Sequence, residues 1–338
     1  MVTTDLFSGA QYGDGIHRRC CADRLGDVTA AQRVDEFEAL RPHLLAVGYR
    51  LTGTFADAED AVQDAWLRWQ GAADQPDDLR AWLTTVVSRL ALDRLRSAAR
   101  RRESYVGEWL PEPVVTAPGV ADPLSAVVAH EDARYAAMVV LERLTPDQRV
   151  AFVLHDGFGV PFSEIATVLG TTDASARQLA SRARRIVGQH EGPVGTGHDE
   201  VVGALLAAMA TGDMDAVIAL LHPDVTLVGD ANGKTRTAIH TITGPDKVAR
   251  FLFGLARRYG PGWFESSRLA LVNGELGAYS VGGPGGDGYE PVHPRIVAVA
   301  VLDGKVAAVW DVANPDKFTG SPLARSDPPT EPGTRHQS

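Results

Sequence analysis

Four prolines, Pro111, Pro113, Pro118 and Pro123, stand within thirteen residues near the first third of a 338-residue chain. Proline has no amide hydrogen to donate and its ring holds φ near one value, so no helix can cross this stretch. Residues 104–123 are therefore predicted to be an extended linker. Apolar residues on either side recur at the three-and-four spacing of a helix, so the chain must hold at least two separate helical units. The first covers residues 31–103, with Leu40, Leu44, Val47 and Leu51, then Ala58, Ala61, Val62 and Ala65, then Leu83, Val86, Val87 and Leu90. The second covers residues 124–190. After Glu191-Gly192-Pro193-Val194-Gly195 the pattern turns mixed, helices first and then short alternating strands, over residues 198–318. Residues 1–30 carry no periodicity and read as a frayed leader, and residues 319–338, rich in Pro, Ser and Thr, read as a disordered tail.

Two arginine-rich stretches stand out in a chain of net charge −10: residues 92–102 and residues 176–185. Each closes one of the helical units. Basic helical surfaces segregated within an acidic protein are the electrostatic footprint of nucleic-acid contact, because Lys and Arg displace the counterions of a polyanion. Asp57, Asp60 and Asp64 line one face of a helix in the first unit, so that unit is expected to present two electrically opposite surfaces, one for a basic protein and one for phosphate. No stretch is apolar over the length needed to cross a bilayer and no secretory leader is evident, which predicts a cytoplasmic protein without a membrane partner. The two cysteines, Cys20 and Cys21, are adjacent in the leader and lack the spacing of a metal site. No metal and no cofactor is expected.

The second unit carries sharper local signals. Thr145-Pro146-Asp147-Gln148 is a capping box with Pro at the first helical position. Gly157 and Gly159 end that helix, Ser163 is expected to cap the next, Gly170 permits a turn, and Thr172-Asp173 opens a longer helix with an Arg-rich face. A short helix, a Gly-containing turn and a basic second helix make a helix-turn-helix, whose second helix lies in the DNA major groove.

These residues carry a resemblance. Ala56 to Leu67, Ala81-Trp82-Leu83 and Leu92-Asp93-Arg94-Leu95-Arg96 resemble region 2 of the extracytoplasmic-function (ECF) sigma factors of bacterial RNA polymerase. Leu144 to Arg149, Ser163-Glu164-Ile165-Ala166 and Leu169-Gly170 resemble region 4 of the same family. Trp109-Leu110-Pro111-Glu112-Pro113 in the linker and Asn314-Pro315-Asp316-Lys317-Phe318 near the end resemble the subgroup with a fused SnoaL-like domain. The resemblance implies core RNA polymerase and promoter DNA as partners. It assigns Asp57, Asp60, Gln63 and Asp64 to polymerase binding. It places Arg80, Arg89, Arg94, Arg96, Arg100 and Arg101 at the minus-10 element, with the loop from Gln75 to Arg80 beside a flipped base. Arg177, Gln178, Ser181, Arg182, Arg184 and Arg185 fall at the minus-35 element. Arg89 stands where many members have Asn, which leaves the base preference at the minus-10 element open.

The fold class expected is thus multidomain: two all-α domains followed by an α+β SnoaL-like cone with a curved antiparallel sheet. Asn273-Gly274 and Asp303-Gly304 are two-residue hairpin signals between the strands of that last block, and a further strand is expected over Thr235 to Ile242. A curved sheet wrapped on helices encloses a pocket, and Asp230, His240, His293 and Asp311 are the polar residues expected to line it, for a small-molecule ligand of unknown kind. No catalytic residue is assigned, since no metal spacing, nucleophile elbow or phosphate loop occurs. Trp109 and Leu110 are large apolar groups in a segment that cannot bury them, so a docking surface is expected, with Asn314 to Phe318 as its counterpart. The function expected is a sigma factor regulated in cis by its C-terminal domain. The competing reading is a DNA-binding module, acting without polymerase or fused to a ligand-binding or catalytic domain.

Overall fold

The computed structural model describes residues 14–72, 76–101, 104–116, 127–128, 133–188, 197–319 and 321, with the side chains of 14–31 and 99–101 outside that description. The chain divides into two units, Met1–Arg41 and Pro42–Ser338. Helix α1 runs Asp14–Thr52 and contains Pro42, the first residue of the second unit. It begins within the stretch expected to be an unpatterned leader. That expectation relied on the absence of amphipathic periodicity, which does not by itself exclude a helix.

In the second unit, α2 spans Phe55–Gln70 and is capped by Thr54, whose hydroxyl accepts from the Asp57 amide at 3.3 Å. Its buried face is Ala58, Ala61, Val62, Ala65 and Trp69, the stripe read from sequence. Helix α3 covers Leu79–Arg101, with Asp78 accepting from the Ala81 amide at 2.9 Å. Then come α4 (Tyr135–Leu141), α5 (Pro146–Phe152) and a π-helical turn, Val153–Gly157. Helices α6 (Phe162–Leu169) and α7 (Asp173–Gly188) complete the helix-turn-helix. The Thr145/Gln148 capping box forms in both directions, and Gly170 closes α6 at φ 65°, in the left-handed region. Ser163 does not cap α6, because the helix starts one residue before it, at Phe162. Pro161 holds the N-cap position with φ −61° and ψ 145°, its ring presetting the φ of an extended entry.

The C-terminal part carries α8 (His198–Thr211), α9 (Met214–Leu220), α10 (Pro245–Tyr259) and α11 (Gly262–Glu265). Strand β1 is Val115–Thr116, in the linker. The other strands are β2 (Leu221–Asp230), β3 (Ile242–Thr243), β4 (Ser267–Val272), β5 (Glu275–Ser280), β6 (Arg295–Leu302) and β7 (Lys305–Val312). They form one sheet in the order β1-β4-β5-β6-β7-β2-β3, antiparallel except for the β2–β7 pair. Both hairpin turns form as expected, with Asn273 at φ 49° and Asp303 at φ 52°, each followed by a left-handed Gly.

Strand β1 pairs antiparallel with Val272 and Leu271 of β4. The Pro-rich segment is extended as predicted where it is described, and its residues 115–116 are a strand of the C-terminal sheet. That sheet is apolar on both faces. One face packs Val299, Val306 and Val309 against Val202, Leu205, Val217, Val248 and Leu252 of its own helices. The other presents Ala270, Val272, Ile296, Ala298, Trp310 and Val312, and is covered by Leu110 and Val115 of the linker, Tyr135 of α4 and Phe318. A sheet buried on both sides has near-continuous apolar strands, and β6 reads Ile296-Val297-Ala298-Val299-Ala300-Val301-Leu302. The strand expected over Thr235–Ile242 is short, Ile242–Thr243 only. Upstream, Thr235 donates its hydroxyl to the Ala313 carbonyl at 2.6 Å and Thr237 to Asp311 at 2.6 Å, so side-chain bonds hold this segment as a loop.

Candidate functional site

The acidic face of α2 and the basic face of α3 meet each other. Arg94 donates to Asp64 at 3.1 Å and lies 3.9 Å from Asp57. Asp60 and Gln63, pointing away, stay exposed. The two opposite surfaces expected of this domain are therefore partly joined, because the packing of α2 on α3 brings the acids and Arg94 to one edge. Two further α3 arginines reach the second helical unit: Arg89 donates to the Thr167 carbonyl of α6 at 3.0 Å and Arg96 to Asp147 of α5 at 2.9 Å. Arg80 lies 3.3 Å from His43. The side chains of Arg100 and Arg101, and Gln75, lie outside the described residues.

His43 itself bridges the two helical domains. Its ring sits 3.1 Å from the Thr84 hydroxyl and edge-on to Phe158, with centroids 5.3 Å apart. Burial, then the Arg80 and Arg50 charges, push its pKa down to about 4, so it is neutral at pH 7. The buried Arg50 guanidinium stacks 4.7 Å over the Phe158 ring. Arg149, also buried, donates to the Arg50 carbonyl at 2.9 Å and ion-pairs with Glu142.

On α7 the picture differs. Arg177, Gln178, Ser181, Arg182, Arg184 and Arg185 are all exposed, while Ala176, Ala180, Ala183 and Val187 are buried. Arg184 donates to Asp156 at 2.6 Å, and Arg177 lies 5.4 Å over the Phe162 ring. Helix α7 thus presents a continuous polar, basic face, and a single helix is what a major groove admits.

The two halves of the linker motif pair are brought together. Lys317 donates to the Leu110 carbonyl and to Asp230 (2.5 Å), and its ammonium sits 3.9 Å over the Trp109 ring. Asp230, fully buried, also accepts from the Leu110 amide at 2.8 Å and from the Tyr105 phenol at 2.5 Å. Burial and that bond to Asp230 raise the Tyr105 pKa. Asn314 donates to the same phenol at 2.8 Å and caps the 3-10 turn Pro315–Lys317. Asp316 pairs with Lys234, and Phe318 packs with Leu110.

The linker grips the helical domains with its next residues. Pro111 accepts from the Tyr135 phenol at 2.8 Å. The carboxylate of Glu112 accepts from the Phe55 amide at 2.7 Å, its amide donates to Gly53 at 2.8 Å, and its carbonyl accepts from Tyr49 at 2.7 Å. Pro113 is buried beside it. Gly53, at φ 75°, leaves no room for a side chain: a Cβ there would stand 2.7 Å from Glu142 and 3.1 Å from Trp109. Asn273, in the first hairpin turn, donates to Tyr49 at 2.9 Å and to the Ala133 carbonyl at 2.7 Å. Sequence reasoning missed Tyr105, Tyr49 and Asn273. Asn273 carried a signal only as a turn residue.

Between the sheet and α8, α10 and α11 lies a cavity of about 110 Å³. Of the four residues expected there, only Asp311 lines it. Asp230 is committed to the linker, His240 is exposed on the loop that replaces the expected strand, and His293 lies beside the buried Arg295, its pKa lowered by burial and by that charge. Arg295, which sequence reasoning missed, supplies the second charged wall and donates to Asp311 at 3.0 Å.

Comparison with known proteins accounts for this arrangement. Residues 37–101 match the family model Sigma-70 region 2, and residues 135–187 match Sigma-70, region 4. The chain is 65% identical over 314 residues to the ECF RNA polymerase sigma factor SigJ of Mycobacterium tuberculosis, covering 90% of this chain and 99% of that one. This chain belongs to the ECF RNA polymerase sigma factors. Its role is accordingly promoter recognition and transcription initiation, and ECF sigma factors act by binding core RNA polymerase and promoter DNA. The crystal structure of SigJ aligns with a TM-score of 0.77, covering 86% of this chain and 99% of that one. The probable ECF sigma factor SigI of the same species is 36% identical over 218 residues, 63% of this chain and 73% of that relative. In this sigma factor, α1–α3 carry region 2, α4–α7 carry region 4, and the linker between them is built into the third domain. Among the described residues no helix is long and apolar enough to cross a membrane.

Proposed function

We propose that this ECF sigma factor contacts core polymerase through the exposed edge of α2, reads the minus-35 element with α7, and is governed in cis by its C-terminal domain through the linker. It works in the cytoplasm, and its C-terminal domain regulates without catalysing. The observation that carries this reading is the clasp of Lys317 on Asp230, the Leu110 carbonyl and the Trp109 ring, which ties the segment joining regions 2 and 4 to the third domain. Contacts of Arg89 with the Thr167 carbonyl and of Arg96 with Asp147 support it, since the same side chains are those assigned to the minus-10 element and would have to leave these region 4 partners to meet phosphate. Asp60 and Gln63, exposed, are the residues of α2 free to meet a basic partner.

Run-off transcription with purified core enzyme tests the reading. Chains ending just before Asn314 and at residue 190 should differ in activity from the full chain and from each other, the first because it loses Lys317 and the second because it loses the whole clasp. Equal activity of all three would refute cis regulation. Asp60→Arg should abolish co-elution with core polymerase on gel filtration while circular dichroism is unchanged, and retained co-elution would refute the assignment of α2.

A further inference from the structure

The cavity in the C-terminal domain has an apolar body and one polar end. Its walls include Val202, Leu206, Met209, Phe251 and Trp263, and at the end stand Arg295 and Asp311. Both charged residues are buried. The guanidinium of Arg295 is fully engaged: it donates to Asp311 at 3.0 Å and to the Arg236 carbonyl at 3.3 Å, and lies 4.9 Å over the Trp263 ring, which itself stacks on Tyr259 at 5.4 Å. The carboxylate of Asp311 is only half used. Its Oδ2 accepts from Arg295 and from Thr237, whereas Oδ1 is buried and has no hydrogen-bond partner among the described residues.

A buried carboxylate oxygen without a donor is costly, and a ligand that supplies one relieves that cost. The charge of Asp311 is already balanced by Arg295, so a charged ligand would enter an apolar chamber with no counter-ion left for it. The volume is of the order that holds one aromatic ring. We infer that this cavity binds a neutral, single-ring apolar molecule that donates one hydroxyl or N–H hydrogen to Asp311 Oδ1. The site lies next to the linker clasp in the sheet: Asp311 pairs with Gly229, and Val312 with Asp230. The binding claim stands on the cavity alone and not on the reading of the helical domains.

Isothermal titration of the full chain with 4-ethylphenol, 4-ethylanisole and 4-ethylbenzoate tests it. The phenol has the donor, the methyl ether replaces that hydrogen with a methyl group, and the benzoate adds a negative charge. The phenol is expected to bind, the ether at least tenfold more weakly, and the benzoate not at all. Leu206→Trp adds bulk at an apolar lining residue of the chamber, and should remove phenol binding while the circular dichroism spectrum is kept. Leu255→Phe, on another wall, serves if that variant does not fold. Absence of phenol binding, equal binding of phenol and ether, preference for the benzoate, or unchanged binding by a folded filled variant would each overturn the assignment.

Discussion

The two basic surfaces of this sigma factor differ in how far their arginines are tied to other parts of the molecule. On α3, Arg89, Arg94 and Arg96 are all engaged within the molecule, two of them by region 4 and one by the acids of α2. On α7, the six polar residues assigned to the minus-35 element face solvent, and of them Arg184 is paired with Asp156 at 2.6 Å. Abundance of arginine is the same signal in both stretches, yet its availability differs. The difference teaches that charge composition locates a nucleic-acid surface without saying whether that surface is open. On the proposed reading, α7 meets DNA with most of its basic face open, and Arg94 of α3 must first exchange the acids of α2 for phosphates.

The contrast can be broken most strongly at Asp230. Asp230→Ala would leave Lys317 buried without its anion, and breaking a buried pair in this way costs about 3–5 kcal/mol. Chemical denaturation should show a loss of that order, and limited proteolysis should cut the linker near Trp109 faster than in the wild type. Replacing both partners, Asp230→Leu with Lys317→Met, should recover only part of the loss, since the buried charge is gone but the Leu110 amide and the Tyr105 phenol still lack their acceptor.

Acid should act next most strongly, through His43. Its folded pKa of about 4 lies below the unfolded value of 6.5, so the unfolded chain binds the proton first as pH falls. The stability His43 contributes is complete above pH 6.5 and is lost between about 6.5 and 4, with an upper limit of about 3 kcal/mol. Thr84, Phe158, Arg80 and Arg50 surround the ring, and none is an anion that would hold the imidazolium. Thermal melts from pH 7 to 5 should show this decline, and His43→Gln should flatten it.

Promoter binding sharpens the contrast at a lower energy. Arg177→Ala and Arg182→Ala should each weaken binding to a promoter fragment by about 1–3 kcal/mol in fluorescence anisotropy. Arg89→Ala should change the affinity of the intact chain less than either, because its guanidinium is held by the Thr167 carbonyl of region 4. A footprint over the minus-35 region that survives both α7 changes would show the recognition helix to be misplaced. Smallest of all is the exposed Arg96–Asp147 pair. Asp147→Ala should cost under about 1 kcal/mol in stability while freeing Arg96, visible as a steeper salt dependence of promoter binding.

Much of this architecture was legible from local rules. The Thr145 capping box, the Gly170 turn, the two Asn/Asp-Gly hairpins and the extended Pro-rich linker, over its described residues 104–116, each follow from short-range backbone chemistry. What escaped was set by partners distant in sequence. Arg94 reads as one more cation on a basic helix until α2 is folded against it. Asp230 reads as a pocket residue until Tyr105 and Leu110, more than a hundred positions earlier, arrive to share it. The loop at 231–241 has the alternation of a strand, but Thr235 and Thr237 donate their hydroxyls to Ala313 and Asp311. One clue was available: the unbroken apolar run of β6 demands cover on both faces, and only one face had helices assigned to it.

The two-residue strand β1 has a further consequence. It is the outermost strand of the sheet on the β4 side, so it shields the backbone of Leu271 and Val272. Pulling the linker away would turn β4 into an open edge, with Leu269 already exposed on it, and would strip the cover from Ile296, Trp310 and Val312 on the adjoining face. Unpaired edges and bared apolar faces recruit other chains. Release of the linker is thus expected to favour self-association, a cost that the clasp of Lys317 on Asp230 keeps in check.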